Sequence, residues 1–308
     1  MGRVGVDLYP EQIGVPLAEV RTFAKSLGGS ATNVAVAAAR LGRRAAVITK
    51  VGRDGFGDYV RKALAGFGVD PRWVSTDPVL RTPIVFCEVH PPDNFPLLFY
   101  REPKAPDMNL SRGDLDLGAI AAAPLFWTTG TGLSDEPSRS ATLAALDVRG
   151  SREITIHDLD HRATFWSSGE DARREAGEAV RRATVVVGNL DEVEMATGLR
   201  DHRAAAAALL ELGPRLVVVK RGPDGAYART ARDEVSVPAI RITVLNGLGA
   251  GDAFGGALCH GLLAGWGLAR ALAVANAAGA IVASRLACAD AMPTLAEIEA
   301  VLSERVAT

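Results

Sequence analysis

Through most of this chain a short apolar run is followed by a stretch in which apolar residues recur every third or fourth position, and then by another apolar run. Runs of the first kind, at 45–51, 73–76, 125–129, 153–157, 184–187 and 216–220, suit short strands, most of them buried on both faces. Stretches of the second kind, at 31–41, 56–67, 138–148, 172–182 and 204–212, suit helices; in 56–67, Phe56, Val60, Leu64 and Phe67 share a face. Strand followed by helix, repeated this often, predicts a mostly parallel central sheet with helices on both faces. The rhythm breaks twice. Residues 84–90 and 97–101 both read as strands, joined by Pro91-Pro92-Asp93-Asn94-Phe95-Pro96, which predicts an antiparallel hairpin with no helix between. Residues 8–23 carry Pro10, Gly14 and Pro16, which argue against a helix and predict an irregular excursion or an edge strand. Ahead of it, 2–7 reads as a buried strand closing on Asp7, begun abruptly, as though a few strand positions were missing. Strands near 226–230 and 235–237 follow the Gly222-Pro223-Asp224-Gly225 turn, and three helices end the chain, one after Asp252, then 269–284 and 295–304. No repeat, low-complexity tract or long linker divides residues 1–308, so one α/β unit is expected.

Composition narrows the function classes. Lysine and arginine number 34 against 36 acidic residues, a formal net charge of −2, which argues against a nucleic-acid or membrane surface as main partner. Cys87, Cys259 and Cys288 are too scattered for a disulfide framework or a CxxC metal site and point to a reducing compartment. No apolar run reaches the ~18 residues of a membrane span, and the amino terminus lacks the basic-then-apolar layout of a signal peptide, so the cytoplasm is expected. Walker A, HExxH and CxxC patterns are absent, which disfavours P-loop and zinc chemistry.

The candidate chemistry gathers at two glycine turns. In Asn246-Gly247-Leu248-Gly249-Ala250-Gly251-Asp252, glycines let the backbone turn tightly and aim several N–H groups at one point. The small-residue helix that follows adds its positive dipole end, so Gly249, Ala250 and Gly251 suit an oxyanion. Asp252 in that setting is either a helix cap or a base. Gly28-Gly29-Ser30-Ala31-Thr32-Asn33 is a second glycine turn opening a helix, with Ser30 or Thr32 as caps. Asn189 and Glu192 have the spacing of a capping box, and Gly222 to Gly225 that of a tight turn between strands.

The two glycine turns in this order, the inserted hairpin and the Asn189-Leu190-Asp191-Glu192 element together resemble the ribokinase-like (PfkB) family of small-molecule kinases over essentially the whole chain. That resemblance implies a three-layer α/β fold with a small β lid, built from roughly 8–23 and 84–101, that closes over a sugar and excludes water. It implies ATP as donor and Mg²⁺ as cofactor, with Asp252 taking the hydroxyl proton and the N–H groups of Gly249, Ala250 and Gly251 holding the transferring phosphoryl group. Asp7, Gly29 and Asn33 match the family's sugar-hydroxyl contacts, although a structural cap stays open for Asn33. Lys220, Gly222 and Gly225 match its turn beside the nucleotide, and Asn189 and Glu192 its Mg²⁺ element, acting through water.

Longer stretches resemble a branch of the family that acts on a sugar acid: Val6 to Pro16, Pro91 to Arg101 with Ala105-Pro106-Asp107, and Asp158-Leu159-Asp160-His161-Arg162 followed by Trp166. A sugar-acid carboxylate suits the paired donors of Arg101 and Arg162, with Lys104 a distant third. A kinase for another acid such as 2-keto-3-deoxygluconate is the nearer alternative, and a sugar-binding sensor without catalysis the farther one. The family's second motif usually begins with Asp, and Asn246 stands there, a poorer cation ligand that puts potassium activation in question. A homodimer through the lid strands is a further expectation, because an exposed sheet edge invites pairing.

Overall fold

The computed structural model describes residues 1–150 and 154–306, so Glu153, the expected start of one strand, lies outside the described residues. The chain opens with β1 (Gly5–Pro10) and β2 (Phe23–Gly28), antiparallel to each other and joined by the proline-bearing excursion. Then come α1 (Ser30–Arg40), β3 (Ala45–Ala46), β4 (Thr49–Gly52), α2 (Gly55–Gly66), β5 (Val69–Asp70) and β6 (Val74–Asp77). The hairpin is β7 (Ile84–Cys87) and β8 (Leu97–Tyr100). Alternation resumes with α3 (Leu117–Ala122), β9 (Leu125–Thr129), α4 (Ser138–Asp147), β10 (Ile154–Asp158), α5 (Gly169–Val180), β11 (Val185–Asn189), α6 (Leu190–Thr197), α7 (His202–Glu211) and β12 (Leu216–Lys220). Two antiparallel strands, β13 (Ala226–Arg229) and β14 (Glu234–Val237), precede α8 (Ala250–Leu263), α9 (Leu268–Ala283) and α10 (Leu295–Val306).

The central sheet runs β14-β13-β12-β11-β10-β9, parallel from β9 to β12 and antiparallel at the β13 and β14 edge. Its valine-rich strands are buried on both sides, as period-two alternation requires. Ile156, Val187 and Val218 point into the layer shared with α1, α8 and α9, whereas Val186, Val217 and Val219 point into that of α5, α6 and α7. Strands that read as unbroken apolar runs therefore carry helices on both faces.

Three details depart from the sequence reading. The first strand is Gly5–Pro10 rather than 2–7, and Asp7 sits in its middle instead of closing it. This strand belongs to a second sheet, ordered β2-β1-β7-β8, not to the central one. The excursion is shorter than expected, because Phe23–Gly28 is extended and pairs with β1 across its whole length. Finally, the apolar run 45–51 does not form one strand: the chain leaves β structure after Ala46, so β3 pairs with β5 and β4 with β6. In the second sheet Asp7 lies beside Val85, and Asp7, Tyr9, Val85, Leu97 and Phe99 all line the cleft beneath it.

Candidate active site

The helix α8 is capped by Gly249, which takes the left-handed φ of +80° that a side chain rarely adopts. A Cβ there would lie 2.7 Å from Cys288 Sγ, so both conformation and space call for glycine. Because Gly249 holds the cap position without a side-chain bond, Asp252 is not the cap; it stands in the first helical turn and accepts a 2.8 Å hydrogen bond from Asn33 Nδ2. Helix packing makes that meeting possible. A Cβ on Gly256 would lie 2.3 Å from the Ala37 Cβ, so α8 and α1 approach almost backbone to backbone. This close approach holds Asn33 of α1 against Asp252 of α8. Asn33 is buried, and its Oδ1 has no partner within the protein, leaving an acceptor for an incoming hydroxyl.

Burial pushes the Asp252 carboxyl up to about 6; the Asn33 bond opposes the rise, Asp160 adds to it, and Arg3 and Lys220 oppose it. Part of the residue's surface still meets solvent, as a group that exchanges protons needs. Asp7 faces the same cavity and is pushed by burial up to about 7, with Arg3 and the Tyr9 hydroxyl working against the shift and Asp252 adding to it. Tyr9 Oη lies 3.4 Å from Asp7 Oδ2 and 2.7 Å from Cys288 Sγ, tying the second sheet to the segment under Gly249. Gly29 caps α1 at φ +99°, and a Cβ there would lie 2.4 Å from the Arg3 carbonyl oxygen.

A group of arginines forms the far wall. Asp160, buried and held at φ +28°, accepts hydrogen bonds from Ser30 Oγ (2.6 Å) and Thr131 Oγ1 (3.0 Å) on the same Oδ2. Arg162 pairs with its Oδ1 at 3.2 Å and reaches Glu192 at 3.8 Å. Arg101 instead pairs with buried Asp107, whose other oxygen accepts from Val4 N at 2.9 Å, and stacks on Phe165. Lys104 pairs with Asp135.

On the other side of Asp252, Lys220 ends β12 with its Nζ 3.4 Å from Asp158 Oδ1 and 3.9 Å from Glu192 Oε2. The position of a Cβ on Gly251 falls 3.5 Å from the same Nζ, so this cation borders the glycine turn. Burial lowers the lysine pKa, but Asp158, Glu192, Asp252 and Asp160 together outweigh it and raise the value. Asn189 and Glu192 make the full capping box: Glu192 N donates to Asn189 Oδ1 at 2.9 Å and Asn189 N to Glu192 Oε2 at 2.7 Å. Gly222 and Gly225 bound a single turn beyond Lys220, closed by the Gly225 N–H on the Gly222 carbonyl. Among the described residues no cluster of three or more His, Cys, Asp or Glu could enclose a metal ion. The donors present, Asp158 and Glu192 with most of their oxygens already engaged, fit an ion that keeps its water shell.

A family profile described as pfkB family carbohydrate kinase matches residues 1–295. The chain belongs to this family. A 5-dehydro-2-deoxygluconokinase of Geobacillus kaustophilus is 34% identical over 306 residues, covering 97% of this chain and 91% of the relative. The enzyme of the same name from Photobacterium profundum is 35% identical over 303 residues, covering 96% and 91%. The fructokinase of Vibrio cholerae, solved with fructose, ADP and calcium ion bound, shares 28% identity at a TM-score of 0.85, covering 98% of this chain and 97% of its own.

In this pfkB carbohydrate kinase, Asp7, Gly29, Asn33, Arg162, Gly249 and Asp252 line one cavity, and Lys220, Asn189 and Glu192 gather next to it. Arg101 lies behind the wall on Asp107, and Gly222 and Gly225 lie outside the cavity lining. Arg3, Tyr9, Ser30 and Cys288 line the cavity without having been assigned from the sequence. For Arg3 a signal existed, since it is a cation inside a run that otherwise reads as a buried strand.

Proposed function

We propose that the protein transfers the γ-phosphoryl group of ATP to the 6-hydroxyl of 5-dehydro-2-deoxy-D-gluconate, a step of myo-inositol breakdown. The observation that carries the reading is Asp252, held by Asn33 at the mouth of the Gly249 turn, inside a cavity walled by arginines. Ionised Asp252 takes the hydroxyl proton as the sugar oxygen bonds to the γ-phosphorus. The bond to the β,γ-bridging oxygen breaks, and its electron pair leaves with ADP. Free N–H groups of the first turn of α8, at Ala250 and Gly251, hold the transferring group while its charge spreads, and Lys220 Nζ supplies a positive charge beside Gly251. A nucleotide and a metal ion fit the family, and Mg²⁺ bound to the triphosphate would neutralise its charge, with Asn189, Glu192 and Asp158 ordering its waters.

The sheet β2-β1-β7-β8 acts as a lid, because Asp7, Tyr9, Leu97 and Phe99 face the sugar side and exclude water from the reacting groups. Its edge strands are β2 and β8, and its other face carries Phe23, Phe86 and Tyr100 in successive edge-on ring contacts, with Leu98 and Tyr100 exposed. That face supports a homodimer through the lid. Potassium is not required in this reading. The Asn246 amide donates to the Leu286 carbonyl, joining the two loops, and accepts from Leu248 N at 3.1 Å within its own turn, so both its ends are engaged.

The test is an ADP-release assay over a panel of sugars and sugar acids with Mg²⁺ and ATP. Highest kcat/KM on 5-dehydro-2-deoxygluconate is expected, and little turnover of it would overturn the substrate. Asp252→Asn should lower kcat by about 10³-fold or more, in the range of losing a positioned base; a loss of only a few fold would overturn the mechanism.

A further inference from the structure

Arg3 is more than nine-tenths buried and lines the cavity that holds Asp252, yet its guanidinium makes no hydrogen bond to any described residue. The carboxylate it pairs with across a long gap is already engaged. Asp160 Oδ2 accepts from both Ser30 and Thr131, and Arg3 Nη2 remains 3.9 Å away, beyond hydrogen-bonding reach. Nε is buried without a partner. Arg101, by contrast, has its own buried carboxylate in Asp107. Of the two guanidinium groups that line the cavity, Arg162 pairs with Asp160 Oδ1 and reaches Glu192, whereas Arg3 has no hydrogen-bonded carboxylate.

The site is also built to keep Arg3 in place. Its guanidinium carbon lies 5.7 Å from the Phe99 ring centre and 5.9 Å from that of Phe165, and those rings meet edge-on at 5.0 Å. Main-chain bonds fix the backbone on both sides, from Gly2 N to the Ile48 carbonyl and from Val4 N to Asp107. Burial lowers the guanidinium's pKa; Asp160 and Asp252 oppose the shift, and Arg162 and Arg101 add to it. A buried charge with unsatisfied donors is costly, and an arriving planar anion that accepts two parallel N–H bonds would relieve the cost.

We propose that Arg3 is the specificity-determining residue that binds the carboxylate of the sugar acid and so rejects neutral sugars. The proposal rests on the sugar-acid kinase reading above and deepens it. A neutral acceptor leaves Arg3 buried with only the 3.9 Å approach to Asp160 and no hydrogen bond, so discrimination comes from the penalty on the wrong substrate as much as from attraction to the right one. Phe99 belongs to the lid strand β8, so closure of the lid and seating of the guanidinium are linked through one side chain.

The experiment compares 5-dehydro-2-deoxygluconate with its carboxamide as acceptors, in the parent enzyme, Arg3→Gln and Arg3→Lys. D-Gluconate and D-gluconamide, each in its 6-deoxy form with no hydroxyl left to phosphorylate, serve as non-reacting competitors. The acid-over-amide ratio of kcat/KM should fall about 100-fold in Arg3→Gln, mostly through KM for the acid, and recover in part in Arg3→Lys, which restores charge without the fork. Competition by gluconate should weaken alongside it. Equal losses on acid and amide in both variants would assign Arg3 a structural role and overturn the proposal, as would an unchanged ratio. Should the parent turn over a neutral sugar and not the acid, the substrate reading falls. Gluconate competition then decides Arg3 independently: inhibition lost on Arg3→Gln sustains the carboxylate site, and no inhibition of the parent removes it. If Arg3→Gln fails to fold, Arg3→Lys carries the same comparison.

Discussion

Replacing Asn33 by alanine separates the two roles that the structure gives this side chain. Its Nδ2 donates to Asp252 at 2.8 Å, and its buried Oδ1 has no partner within the protein. A hydrogen bond to a charged group contributes about 1.5–3 kcal/mol, and each pKa unit corresponds to about 1.4 kcal/mol. Removing the donor should therefore raise the Asp252 carboxyl by about one to two units above its value of about 6. The sign follows from the role of a base, which works only when ionised: activity is present above the pKa and lost as pH falls through it. In Asn33→Ala that loss should begin at higher pH. Measured as kcat/KM for the sugar acid from pH 5 to 9, the acid limb should move up by about one unit or more, and the plateau at high pH should drop about tenfold through the lost hydroxyl acceptor. Because burial also pushes Asp7 up to about 7 in the same cavity, the limb reports the pair rather than one residue, and the comparison is between enzymes. A limb that stays where the parent has it while the plateau falls would refute the Asn33–Asp252 linkage. A limb that moves down would refute the sign.

Gly249→Ala combines a left-handed conformation, costing about 1–2 kcal/mol, with a contact 2.7 Å from Cys288 Sγ. A lower unfolding midpoint and at least a tenfold fall in kcat are expected, partly restored by adding Cys288→Ala; parent-like kcat in the single variant would refute the role of this turn. Turnover in potassium and in tetramethylammonium salts of equal ionic strength should agree within about twofold, because the Asn246 amide already joins the two loops. Strong activation by potassium would contradict that. Sedimentation should show a dimer that Leu98→Glu with Tyr100→Glu converts to monomer, and a monomeric parent would refute pairing through the lid.

The strand and helix alternation was legible because the central strands are buried on both faces and so read as unbroken apolar runs. The glycine turns were legible for a related reason: few residues other than glycine fit where backbone must turn left-handed or lie against another chain segment. The Asn189 and Glu192 spacing was informative but double-edged, since a real capping box occupies the place where an ion's waters would be ordered. The edges of the second sheet were harder. Phe23–Gly28 contains Gly28, Lys25 and Ser26 and lacks an apolar run, and its extended form comes from pairing with β1.

What the sequence determined by itself was therefore the layered fold, the position of the glycine turn that opens α8 and the presence of one carboxylate in it. Which residues serve that carboxylate was decided by tertiary structure. Asn33 reaches Asp252 across 219 positions only because α1 and α8 touch at Gly256. The arginines were sorted in the same way: Arg101 has a proper partner in Asp107, while Arg3 stops 3.9 Å from the Asp160 oxygen that Ser30 and Thr131 occupy. Hydrogen-bond capacity is finite and is allotted in three dimensions, so a charge left without a partner becomes visible only once every neighbour is in place.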